Sequence, residues 1–401
     1  VKILLVADGR SPITHQWLKT VISMEHEMML VSTFPCSPLQ GVKDQTVIPI
    51  AFSGMAGTQV AGSNQKKKRS SSLVRKARKP LMVLRYWLGP LTLPKAKKKL
   101  QEVIAAWQPD LVHALRIPFE GMLASCTPAH IPLVISIWGN DLTLHTRGSA
   151  SMRYWTRRAL QRADGLLADA SRDLRLGVQW GYEQQRPKLV VPGSGGIDLA
   201  EILLSEEKSD ISRWVSSQGQ YVINPRGLRP GYINTREFFQ AARLVLRQNP
   251  EVIFLCPAME GQEEALQYAR QYQVEKNVHL LPYLTQPELW QLFRACQVSV
   301  SISTHDGTPN TLLEAMSCGC FPIAGDLESL RDWITPGVNG FLVDAYKPDE
   351  IARAILTALE AKDLREKAKA INLQRVSQKA SRVATQEKLQ TFFEQVKNAH
   401  N

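Results

Sequence analysis

The chain has 401 residues, 49 Lys and Arg against 37 Asp and Glu, a formal net charge of +12, and 44% hydrophobic residues. That length suits two domains with cores of their own, and the composition excludes a disordered or fibrous chain. The charge is local: thirteen basic and no acidic residues lie between Lys66 and Lys99, and without them 36 basic face 37 acidic residues, which argues against a protein that coats nucleic acid.

The opening Lys2–Ala7, stopped by Asp8, is too short for a leader core and predicts a first strand. Short apolar runs then recur at 27–33, 46–51, 111–115, 132–138, 165–169 and 188–192. They continue at 221–225, 251–257, 278–281, 298–303, 320–324 and 340–343. Most are near-continuous Val, Ile and Leu, as in parallel strands covered on both faces. Amphipathic helices are expected between them at 95–107, 149–163, 235–248, 285–296 and 348–361, and a long charge-alternating helical pattern fills 363–398. Such alternation predicts a doubly wound α/β architecture. A Gly-rich turn at Val191–Gly196 and a polar stretch at 200–220 separate two Rossmann-like halves, which predicts a ligand cleft facing the carboxyl ends of both sheets.

Other classes drop out. The six cysteines are scattered, with no Cys-x-x-Cys pair or zinc spacing, and read as free thiols of a reducing compartment. The uncharged stretches 45–65 and 121–140 are broken by Pro, Gly and polar residues, so membrane contact is expected to be peripheral.

The most informative segment runs from Ser301 to Met316 and on through Ser317-Cys318-Gly319-Cys320. It reads as a buried strand, a polar turn, a helix opened near Pro309, a Gly stop and another strand. A turn feeding a helix N-terminus offers backbone amides to a phosphate, which makes Gly307, Thr308, Asn310 and Thr311 phosphate-binding candidates. Asp306 and Glu314, eight positions apart, each accept two hydroxyl hydrogen bonds, as a sugar or ribose diol presents.

This segment resembles the signature of family 4 retaining glycosyltransferases of the GT-B fold, where two acids flank a Gly-containing turn before Ala-Met-Ala-Cys-Gly. Here the acids are Asp306 and Glu314, followed by Ala315-Met316-Ser317-Cys318-Gly319, with Asp in place of the usual first Glu. The resemblance implies that Asp306 touches donor-sugar hydroxyls and Glu314 the nucleotide ribose, and that the phosphate site of Gly307, Thr308, Asn310 and Thr311 is that of the donor. Asp326–Ser329 and Trp333–Val343 resemble the family's closing stretch, and Asn224–Pro230 occupies the place of its diphosphate-binding Gly-Arg…Lys turn. Arg226, with Arg229 or Arg236 for the missing Lys, would then carry the diphosphate. The resemblance also implies a UDP- or GDP-sugar co-substrate, no other cofactor and no essential metal.

In the amino half, Pro109–Leu115 resembles the family's Pro-Asp-Val-Val-His strand, which sets His113 between a satisfied strand histidine and a catalytic group beside Arg226 and Asp306. Trp138 and Asp141 follow a second strand; Asp141 would bond the transferred sugar or cap the next helix. Gly9 and His15 sit where relatives carry an acceptor loop. The resemblance thus divides the chain into an acceptor-binding domain, 1–196, with a C-terminal helix of about 380–401 packing on it, and a donor-binding domain, 197–379. In the basic stretch 66–99, Leu, Trp and Tyr interleave with the cations, as on a surface that lies against anionic lipid. Arg147, Arg153, Arg157, Arg158 and Arg162 would extend it. The expected partners are therefore a nucleotide sugar, a glycan or lipid-linked acceptor and an anionic membrane on the cytoplasmic face, with no nucleic acid. A nucleotide-sugar epimerase and a non-catalytic nucleotide-sugar-binding protein of the same fold are the open alternatives.

Overall fold

The computed structural model of the chain describes residues 1–55, 83–205, 211–216, 218–229 and 231–400. The Lys66–Lys79 part of the basic stretch lies outside the described residues. The chain divides into two compact units, Val1–Gly196 with the helix Arg382–His400, and Ile197–Ser381.

The first unit is built on seven strands: β1 (Lys2–Ala7), β2 (Glu27–Ser32), β3 (Asp44–Val47), β4 (Leu111–Ala114), β5 (Leu133–Ile137), β6 (Gly165–Ala168) and β7 (Lys188–Val190). They lie in the order β3-β2-β1-β4-β5-β6-β7, every pair parallel. Side chains alternate faces along a strand. Leu4 and Val6 therefore meet Leu100, Ile104, Met152 and Leu160 on one side, while Ile3 and Leu5 meet Trp17, Leu389, Phe392 and Phe393 on the other. Both faces of the inner strands are covered, which is why β1, β2, β4, β5 and β6 read as largely apolar runs, whereas the edge strands β3 and β7 are half-exposed. The expected strand 46–51 stops at Val47; Pro49, without an N–H, cannot extend the ladder.

The second unit carries β8 (Gln220–Ile223), β9 (Val252–Cys256), β10 (Val278–Leu280), β11 (Val298–Ser301), β12 (Phe321–Gly325) and β13 (Phe341–Val343), all parallel in the order β10-β9-β8-β11-β12-β13. Its helix Thr235–Gln248 buries Phe238, Phe239, Ala241, Ala242 and Val245, one helical stripe against the sheet. The helix Gln286–Ala295 opens with a capping box of Thr285 and Glu288.

The helical pattern over 363–398 resolves into two helices, Lys362–Ala380 and Arg382–His400. Between them Ser381 is extended (φ −62°, ψ 152°) because its backbone bridges Ile197, whose N–H donates to the Ala380 carbonyl at 2.9 Å. Among the described residues no helix is long and apolar enough to cross a membrane.

Candidate active site at the carboxyl edge of the second sheet

In a parallel α/β sheet the loops leaving two neighbouring strands part where the strand order reverses, and ligands bind in that crevice. In the second unit the reversal falls between β8 and β11. The loop after β8 carries Arg226; the loop after β11 carries Asp306.

The two meet across the reversal: Arg226 Nη2 donates to Asp306 Oδ2 at 2.7 Å, and Nη1 donates to Thr311 Oγ1 at 3.3 Å. Gly227 follows at φ +61°, a left-handed turn glycine takes without a Cβ penalty. Ser303 Oγ donates to the same Asp306 oxygen at 2.9 Å, and Ser329 Oγ donates to the Asp306 carbonyl at 2.7 Å. Trp333 Nε1 donates to Thr308 Oγ1 at 2.9 Å. The 326–333 stretch therefore shapes the 306–308 turn from behind, and Thr308's hydroxyl serves that packing. Gly307 is buried in the turn.

The helix Asn310–Ser317 opens directly after Pro309, whose extended φ/ψ makes it the cap. Glu314 lies one turn in and is buried, with Gln286 Nε2 donating to it at 2.9 Å. Burial raises its pKa from 4.5 to about 7, because a charged carboxylate is poorly solvated there. Of the two replacements for the missing Lys, Arg229 is the one beside Arg226, its Nε donating to the Arg226 carbonyl at 3.2 Å. Arg236 is instead turned to Tyr272, at 3.1 Å. Among the described residues no group of three or more His, Cys, Asp or Glu side chains is arranged to hold a metal ion.

Two models of known families match this chain. "Glycosyl transferases group 1" matches residues 232–375, across the site just described, and "Glycosyl transferase 4-like" matches residues 2–170 of the first unit. The chain belongs to the family 4 glycosyltransferases of the GT-B fold. It is similar to a D-inositol 3-phosphate glycosyltransferase of Thermobispora bispora, 33% identical over 86 residues, which are 21% of this chain and 20% of that one. It is also similar to a poly(glycerol-phosphate) alpha-glucosyltransferase of Bacillus subtilis, 24% identical over 130 residues, 32% of this chain and 19% of that one. The matched segments thus span about a fifth of the length of each of these curated relatives. Among solved structures, Anabaena HepE in complex with UDP superposes with a TM-score of 0.72 at 17% identity, covering 98% of this chain and all of that one. HepE has also been solved with UDP-glucose.

Within this family frame the first unit corrects two readings. His113 is fully buried in β4, its Nε2 against Ser136 Oγ at 2.9 Å and its ring edge-on to Trp17 and Phe393. Burial depresses its pKa to about 3. It sits as a core histidine, its Nδ1 also buried and without a partner among the described residues. Asp141 is fully buried as well: it binds Arg116 Nη2 at 2.7 Å and accepts the N–H groups of Ile117 at 3.0 Å and Trp138 at 3.2 Å. Its carboxylate oxygens are occupied in tying two loops together, so it neither caps a helix nor reaches an acceptor. Gly9 and His15 do come together, His15 Nε2 lying 2.8 Å from the Gly9 carbonyl. A Cβ at Gly9 would stand 2.4 Å from Cys36 Sγ, so only glycine fits there. Trp138 is half-buried, with Arg116 5.0 Å from its ring centroid. Sequence reading missed Gln286, Ser303 and Arg116, each of which pairs with a candidate 3 to 28 positions away. No local signal announces the Gln286 and Arg116 pairs, which are 28 and 25 positions apart; Ser303 lies within the turn itself.

Proposed function

We propose that the chain is a retaining glycosyltransferase, moving a sugar from a UDP- or GDP-sugar to a hydroxyl of a glycan or lipid-linked acceptor in polysaccharide or glycolipid synthesis. The observation that carries this reading is the Arg226–Asp306 pair, 2.7 Å apart across the strand reversal, beside the N-terminus of the helix Asn310–Ser317. Arg226 and Arg229 supply the counter-charge of the diphosphate in place of a metal, and the helix N-terminus adds its dipole. Asp306 takes sugar hydroxyls and Glu314 the ribose diol. The anomeric carbon–oxygen bond to the diphosphate breaks while the acceptor oxygen bonds from the same face. The acceptor's proton passes to the departing phosphate, so no protein nucleophile is needed. The family membership, the names of the two curated relatives and the HepE complexes support this reading. The anomeric configuration of product against donor, read by NMR, tests retention; inversion would overturn it.

A pH dependence follows from Glu314. Ribose hydroxyls donate to the ionised carboxylate, so binding favours loss of the proton that burial holds on up to about pH 7. Donor affinity is expected to rise between pH 6 and 8, with proton release seen by calorimetry in buffers of different ionisation heat. Glu314→Gln should flatten that profile; an unchanged profile would remove Glu314 from the site.

The acceptor-binding unit meets an anionic bilayer at the cytoplasmic face. Supporting this, Trp87 and Leu91 are 53% and 71% exposed beside the Lys95–Lys99 cluster. The segment is pinned to the neighbouring helix Ala150–Arg162 by Ser149 Oγ donating to the Tyr86 carbonyl at 2.8 Å. That helix lines a groove with Arg153, Tyr154, Arg157 and Arg158, and Trp180 from beyond the helix Ser171–Gln179 faces it. Each cation near the headgroups contributes roughly 1 kcal/mol. Co-sedimentation with phosphatidylglycerol vesicles, but not phosphatidylcholine, is expected, and Lys95, Lys97, Lys98 and Lys99 changed together to Gln should weaken it severalfold. Equal sedimentation before and after the change would refute the surface.

A further inference from the structure

The first sheet has its own reversal, between β1 and β4. The loop leaving β1 carries Arg10 and the loop leaving β4 carries Arg116, so cations flank this crevice as Arg226 flanks the other. Arg85 joins them. Arg10 Cζ stands 3.8 Å from the centroid of Phe34, and Arg85 Cζ stands 5.6 Å from that same ring and 4.7 Å from Phe119. Arg10 is bonded to Asp8 at 3.1 Å and Arg116 to Asp141 at 2.7 Å. Arg85 has no hydrogen bond or ion pair among the described residues, and its Nε is buried. Glu120, which attracts Arg85 through space without bonding it, is buried and accepts the Thr33 hydroxyl at 2.7 Å. Burial shifts the Glu120 pKa upward, toward the neutral acid. At the same edge the indole N–H of Trp138 is buried and finds no partner among the described residues. A guanidinium held over two aromatic rings without a carboxylate is costly unless an anion completes it.

We infer that the carboxyl edge of the first sheet binds an anionic group of the acceptor, a phosphate or carboxylate, with Arg85 as its principal ligand and Arg10 and Arg116 beside it. This rests on the glycosyltransferase reading and narrows it to acceptors that bear negative charge next to the hydroxyl that is glycosylated. Arginine's fork matches the paired oxygens of either group.

The test titrates the full chain, saturated with UDP to fill the donor site, with inorganic phosphate and with galacturonate, following thermal stability. Phosphate is expected to bind, and Arg85→Gln to weaken it about tenfold or more, the worth of a charge-assisted hydrogen bond. Arg85→Lys should fall between, and UDP affinity should hold in both variants, showing that they fold. A second arm compares phosphatidylglycerol with phosphatidylcholine vesicles: loss of vesicle binding in Arg85→Gln assigns the anion to a lipid headgroup, and its retention, with phosphate binding lost, assigns it to a soluble acceptor. Equal phosphate and galacturonate affinity in wild type and Arg85→Gln, or no binding to wild type, overturns the inference. If UDP itself fails to bind, the donor reading is what fails, and the Arg85 dependence is then read in Arg226→Ala.

Discussion

Arg226→Ala is expected to lower the rate of sugar transfer by about 10²–10³-fold, the usual cost of removing one donor aimed at developing negative charge. On the proposed function the guanidinium has two tasks: neutralising the diphosphate as the glycosidic bond breaks, and orienting Asp306, whose Oδ2 it reaches at 2.7 Å beside Ser303. Arg226→Lys should recover only part of the rate, because an ammonium keeps the charge and loses the fork that also spans Thr311. The expected signature is a loss of rate out of proportion to any loss of melting temperature, with UDP affinity falling alongside the rate. Wild-type transfer by Arg226→Ala would move the chemistry away from this crevice.

Asp141→Ala is expected to do the reverse, destabilising the first unit by about 3–5 kcal/mol, as breaking a buried ion pair does. Arg116 would be left without its carboxylate, and the N–H groups of Ile117 and Trp138 would lose their acceptor. Urea denaturation gives the magnitude, and hydrogen exchange should show opening confined to 111–141 first. A change below about 1 kcal/mol would mean that Asp141 is free to serve a ligand after all.

The two sites differ in how legible they are in the amino-acid sequence. The inner strands of both sheets follow from hydrophobic runs because burial on two faces is a local property of four or five consecutive residues; the edge strand β3, with its Asp44-Gln45-Thr46, does not. The turn after β11 is legible for the same reason: Asp306, Pro309 and Glu314 sit on one short strand–turn–helix. His113 and Asp141 are not legible in this way. What decides their roles is Trp17, Phe393 and Arg116, brought to them by the topology rather than by spacing. The break at Ser381 is equally silent, since no Gly or Pro marks it and the helical pattern runs straight through; it exists because the chain must bridge back to Ile197.

That bridge bears on the order in which the chain acquires structure during synthesis. The second unit is an insertion within the first: it is entered at Ile197 and left at Ser381, with the two crossing points hydrogen-bonded to each other. All the strands and helices of the second unit emerge from the ribosome before the helix Arg382–His400. The first unit, though translated first, keeps the seat of Phe392, Phe393 and Val396 uncovered until that helix arrives. Domains generally complete in the order they are made. Here the second unit is fully synthesised before the first is, and the first is completed only after about 185 intervening residues, at 5–20 residues per second, have been added.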